Sequence, residues 1–183
     1  MKNLLVEQLS PEKEIDARFD ALELLEGEIG IYDGKDYSYP DLAVWLAFMR
    51  SLTMIHHSHH WQVLGNGFFS DHELLKKLYE NVQGEVDGLG EKLVGLDSPA
   101  LTNYFPQLDH MRKFMEKVSD KTKPPLLVSL VSELVFIQVG ELVKNRLKEA
   151  NLLTTGLENL FGDVLDRHES HVYLLKQRLT QNP

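Results

Sequence analysis

The stretch LLVSLVSELVFIQVGELVKNRLKEA, residues 126–150, is apolar on nearly every side over its first half. A helix without a polar face has to be covered all round, so this segment dictates that other elements pack against it. Their start and stop signals are legible. A long helix runs through LAVWLAFMRSLTMIHHSHHWQVL to Gly65, with Ser38 as its expected cap and Asp41 three residues on. A second opens at SDHE, an expected capping box of Ser70 and Glu73, and continues to about Gly95 before DSP ends it. The last, GLENLFGDVLDRHESHVYLLKQRL, is introduced by Thr155 and Glu158. Four helices of roughly 20 to 27 residues, each about 30–40 Å long, predict an all-α four-helix bundle. LTNYFPQLDHMRKFMEKVSDKTKPP adds a short helix between the second and third, and SPEKEIDARFDALELLEG an extra N-terminal one from the Ser10–Pro11 start to Gly27. The expected organisation is an acidic N-terminal helix and loop over residues 1–37 and the bundle over 38–183.

With 183 residues the chain suits one domain with a real core. It contains no cysteine, which removes disulfides, thiolate metal sites and cysteine nucleophiles and suits a reducing compartment. MKNLLVEQLSPEKE lacks the apolar stretch and small-residue cleavage site of a secretory signal. No uninterrupted run reaches the ~18 apolar residues of a membrane span. A cytoplasmic, soluble protein without a membrane partner is expected. Net charge is −9, and residues 1–36 carry ten acids against four bases. Proteins that grip nucleic acid usually present a basic patch or tail, so direct DNA binding is not expected.

A bundle of this size can hold a dinuclear carboxylate centre, which asks for Glu-x-x-His on two helices and a Glu on each of the others. None of the eight histidines has an acid three residues before it, so an intrachain centre of that type is not expected. Another constellation survives. His60 ends the first bundle helix, His72 begins the second, and Asp87 and Glu91 follow at i and i+4 on one face of that second helix. Imidazole and carboxylate together suit iron, zinc or manganese. Asp87 lies fifteen residues beyond His72, about 22 Å along a straight helix. One chain cannot bring both to the same ion. If the four form one site, the histidines come from one subunit and the carboxylates from its neighbour, and a two-fold axis makes two such sites per dimer.

The segment HHWQVLGNGFFSDHELLKKLYENVQGEVDGLGEKL resembles the Dps-like miniferritins. Their pattern is His-Trp-Asn-x-x-Gly, a Phe-bearing turn, a second His twelve residues after the first, then Asp-x-x-x-Glu fifteen residues later. His60, Trp61, Gly65, Phe68, His72, Asp87 and Glu91 fall in register, with Gln62 in place of the usual Asn. ESHVYLL near the end is similar to the family's signature in the last helix, and the likeness covers about residues 38–178. The resemblance implies a ferritin-like fold and a hollow homo-dodecamer built from two-fold dimers. It implies oxidation of Fe(II) at inter-subunit sites with hydrogen peroxide or dioxygen, and storage of the ferric mineral inside. His60 and His72 would be ligands from one subunit, Asp87 and Glu91 from its mate, and Trp61 an oxidisable ring beside the iron. Zinc is a possible substitute ion.

The chain departs from the family in three places. Lys76 stands where the family usually has an Asp, and a cation there would repel a second iron, so one tight position per site is expected. Asn151 and Gly156 replace aspartates of the entry route, and the Lys-rich DNA-binding tail is missing. Structural roles are expected for His56, His57 and His59. Glu133, with Ser129 and Ser132, is expected on a solvated stripe, and His168 and His171 are expected to pack or hydrogen-bond. Gly84, Gly88 and Gly90 weaken the second helix unless a neighbouring helix approaches closely. Since imidazole must be neutral to ligate, iron uptake is expected to weaken below pH ~6.5. A shell-forming structural or DNA-protecting protein with a non-oxidising zinc site is the competing reading. An acidic module for a membrane or protein partner rests only on the first 36 residues.

Overall fold

A computed structural model describes Leu25 and residues 35–181. Five helices follow in order: α1 Pro40–Gln62, α2 Phe68–Leu96, α3 Tyr104–Val118, α4 Pro125–Glu149 and α5 Thr155–Gln181, with a 3-10 turn at Pro99–Thr102. There is no strand among the described residues. The molecule is an all-α, ferritin-like bundle of α1, α2, α4 and α5, with α3 as the short helix between α2 and α4. The predicted N-terminal helix and the acidic segment lie outside the described residues, apart from residues 35–37 and Leu25, the latter buried in the core.

The helices start differently from the sequence expectation. Tyr39, not Ser38, occupies the cap of α1, with Pro40 at the first helical position. Its N–H donates to Asp97 Oδ2 at 2.9 Å and its hydroxyl to the Leu152 carbonyl at 3.1 Å. The start of α1 is thereby tied to the end of α2 and to the α4–α5 turn. Ser70 and Glu73 form no capping box, because α2 begins earlier, at Phe68. Gly65, with φ 90°, turns the chain so sharply that its carbonyl already accepts from Phe68 N–H at 3.1 Å. Only glycine adopts that backbone cheaply. Thr154, one residue earlier than expected, caps α5 by accepting from Leu157 N–H at 3.2 Å. At the end of α4, Asn151 takes φ 58° while Leu152 N–H reaches back to the Leu147 carbonyl at 2.8 Å. That left-handed closure suits asparagine.

α4 is long and apolar enough to cross a membrane, with a mean hydropathy of 1.9 over its most apolar window, although no uninterrupted apolar run predicted this. In the bundle, two thirds of that window is buried, as befits a central helix. The larger apolar cluster centres on Trp45, stacked on Phe161 at 4.5 Å and Phe136 at 5.4 Å. Gly140 admits this ring, since a Cβ there would stand 2.8 Å from Leu165 Cδ2 and 3.1 Å from the indole. A smaller cluster gathers Val63, Leu75, Leu78, Leu130, Val172 and Leu175. Between the two, on α1, α4 and α5, lie His56, Glu133, His168 and His171, all buried.

Candidate metal centres

His60 and His72 come together across the Gly65 turn, their rings stacked with centroids 3.5 Å apart. Each donates its Nδ1–H to the other's backbone carbonyl, both at 2.8 Å. A carbonyl can only accept, so Nδ1 carries the proton in both rings and each Nε2 keeps its lone pair. A metal-ligating imidazole needs this arrangement, one nitrogen anchored and the other free. The pair sits among aromatic rings: Tyr79 lies 5.5 Å from His60 and Phe68 5.1 Å from His72. Trp61 is 65% exposed and packs on His57 at 4.2 Å.

Asp87 and Glu91 lie further along the same unbroken α2, both exposed. They line one surface hollow with Arg50, Val86, Gly90 and Val94. Gly84, Gly88 and Gly95, which share a face of α2 with Asp87 and Glu91, have nothing within 4 Å of where a Cβ would stand, so this face is open to close approach by another helix. Within the chain, the structure joins His60 to His72 and Asp87 to Glu91, while a continuous helix separates the two pairs. Lys76 stands on α2 one turn beyond His72 and is half-buried.

The second centre corrects the sequence reading of Glu133, which is not solvated but wholly buried at the hub of a polar cluster. Its Oε1 accepts from His56 Nε2 at 2.7 Å and from His171 Nδ1 at 3.1 Å, and its Oε2 meets His168 Nδ1. His168 Nε2 donates to Glu85 Oε2 at 2.9 Å, and Glu85 Oε1 pairs with Arg167 at 3.1 Å. A relay continues outward: His59 Nδ1 lies 2.8 Å from the Ser129 hydroxyl, which lies 3.2 Å from His56 Nδ1. His56 and His59 thus hydrogen-bond within the bundle, and His171 hydrogen-bonds as expected. Glu133, His168 and His171 nevertheless present ligand atoms all within 4.8 Å of one another. That spacing is one a single ion could bridge, although the three residues lack the Glu-x-x-His pattern of a dinuclear centre.

Glu85 and Asn81 were not singled out by sequence reasoning. Glu85 sits on the stripe Leu75, Leu78, Val82, Leu89 and Leu93, all buried. A carboxylate at a core position of a 3.6-residue repeat is the signal that marks it. Glu133 follows the same rule.

Burial pushes His168 down, but the Glu133 carboxylate, then Glu85, outweighs it and holds the imidazole up at about 9. Burial likewise raises Glu133, yet its three imidazoles hold it well below the usual carboxylate range. His59 is pushed down to about 4 by burial and then by His56.

No family model matches the chain. Among curated proteins it is similar to the nutrient stress-induced DNA-binding protein of Nostoc sp., 30% identical over 146 residues, which cover 77% of this chain and 76% of that protein. The DNA protection during starvation protein of Brevibacillus brevis is 26% identical over 124 residues, 66% of this chain and 79% of the relative. General stress protein 20U of Bacillus subtilis is 26% identical over 126 residues, 67% and 83% of the two chains.

Proposed function

The chain belongs to the Dps family of miniferritins, and from that premise we propose that it oxidises Fe(II) at sites shared between two-fold-related subunits and stores the ferric product inside a homo-dodecameric shell. The observation that carries this reading is the reciprocal pair of His60 and His72. Both rings are fixed in the tautomer that leaves Nε2 available, and among the described residues no acid of the same chain groups with them to complete the set. Asp87 and Glu91 from the neighbour would supply the missing charge, and the open glycine face beside them lets a second helix come close. Trp61, Leu64, Phe68 and Phe69 are exposed around the histidine turn, apolar area that a subunit contact would cover. Two Fe(II) ions give up one electron each to hydrogen peroxide, or four to dioxygen, and the Fe(III) formed hydrolyses and nucleates mineral inside. Lys76 limits each site to one tight iron.

Two of the relatives are named for DNA. For this chain, a net charge of −9 with an acidic opening argues against a direct grip on the phosphate backbone. A gel shift at low salt should show no complex; a robust shift would favour DNA protection. A non-oxidising zinc site remains the competing reading, favoured by Lys76. Aerobic Fe(II) addition separates the two, since a zinc-only site gives no ferric absorbance above the uncatalysed rate.

Subunit mixing tests the shared site. His60→Ala and Asp87→Ala shells should each lose at least about 90% of ferroxidase activity. Disassembled and co-assembled in equal amounts, they should recover about a quarter of it, because a site is intact only when an Asp87→Ala subunit lends its histidines to a His60→Ala neighbour. Recovery of nothing would mean that both groups serve a site within one chain.

A further inference from the structure

From the buried cluster we infer that each subunit carries a second metal site, independent of any partner, in which Glu133 on α4 and His168 and His171 on α5 hold one divalent transition ion, Zn(II) or Fe(II). The three ligand atoms lie within 4.8 Å of one another. Two imidazoles and one carboxylate form a donor set that suits these borderline ions. Bond lengths of 2.0–2.1 Å at a tetrahedral ion put neighbouring ligand atoms about 3.3 Å apart. His171 Nδ1 already stands 3.1 Å from Glu133 Oε1, within a few tenths of an ångström of that separation, while His168 Nδ1, hydrogen-bonded to Oε2, has to draw back to admit the ion.

The surroundings of the three ligands point the same way. A ligating histidine characteristically donates its other N–H to a carboxylate, and His168 Nε2 does so to Glu85 Oε2 at 2.9 Å. His171 Nε2 meets the Asn81 amide at 3.2 Å. Turning that amide over presents its oxygen, which accepts Nε2–H and frees Nδ1 for the ion. His56 Nε2, 2.7 Å from Glu133 Oε1, braces the carboxylate from α1. All four bundle helices thus contribute, and an ion here would lock them together as a structural site. Glu85 and the partly exposed Arg167 mark the way in from the surface.

This inference stands apart from the shared ferroxidase site, and its test is built to keep the two separate. Assembled, chelator-stripped His60→Ala/His72→Ala protein is titrated with Co(II) and Zn(II). One ion per chain should bind, with the visible absorption of nitrogen-ligated, low-coordinate Co(II), and Zn(II) should raise the melting midpoint by at least about 5 °C. Adding His171→Asn to that background should abolish both signals, and adding Glu85→Gln should weaken binding about tenfold to hundredfold. Absence of a stoichiometric ion in His60→Ala/His72→Ala protein overturns the proposal, whether or not the buried variants fold. So does an ion that survives His171→Asn. Failure of the shared-site reading shows differently: removing His60 and His72 would then leave the wild-type metal content unchanged.

Discussion

The two histidine clusters lie on neighbouring turns of α1, yet they solve opposite problems. At the α1–α2 turn, His60 and His72 satisfy each other's backbone and leave two lone pairs unspent. In the bundle interior, every ring nitrogen of His56, His168 and His171 has a partner, and the charges of Glu133, Glu85, His168 and Arg167 balance. The open pair pins the α1–α2 turn through Nδ1 and keeps both Nε2 atoms available to an incoming ion. The closed cluster is built into the fold, and removing one member leaves the others buried and uncompensated. Availability and indispensability are thus divided between two sites made from the same residue type.

Truncation is the most direct way to break this contrast. Glu133→Ala strands a buried imidazolium, and denaturant titration should show a loss of about 3–5 kcal/mol. His72→Ala, at the open pair, should cost less, about 0.5–1.5 kcal/mol for its hydrogen bond to the His60 carbonyl. Equal losses would mean that the clusters do not differ in kind.

A pH series on metal-free protein sharpens the comparison. Folded His168 keeps its proton up to about pH 9, against 6.5 when unfolded, so between those values the folded chain binds the extra proton. Its contribution, on the order of 3 kcal/mol, is fully present below pH 6.5 and disappears as pH rises through 9. Glu133 acts with the opposite sign: its carboxyl is held low, so its contribution is present above the ordinary carboxylate range and fades as acid protonates it. Stability should therefore fall on both sides of neutrality, and flat stability from pH 7 to 10 would contradict the charged-cluster description.

The smallest effect expected is at the open pair. Lys76→Asp should raise tightly bound Fe(II) from one towards two ions per shared site in an anaerobic titration, with the folding midpoint almost unmoved. An unchanged iron count would remove Lys76 as the cause of single occupancy.

Much of this was legible in the residues. Apolar periodicity and Gly and Pro punctuation gave the helices to within a few residues, and the spacing of His60, His72, Asp87 and Glu91 gave two pairs that one rod-like helix holds apart. The cap positions were misplaced because capping depends on where the chain turns: Gly65 brings the start of α2 forward to Phe68, and Tyr39 is held by Asp97, 58 residues away. The buried cluster was sought through a fixed intervening spacing, which it lacks. Local periodicity put Glu85 and His168 on the inward stripes of their helices, since that depends only on 3.6 residues per turn; on α4, apolar on nearly every side, it did not fix the face of Glu133, which was expected in solvent. Only the tertiary structure decided that those stripes meet at one level, because the axial register of packed helices is set by side chains interlocking across the bundle and not by any one helix alone.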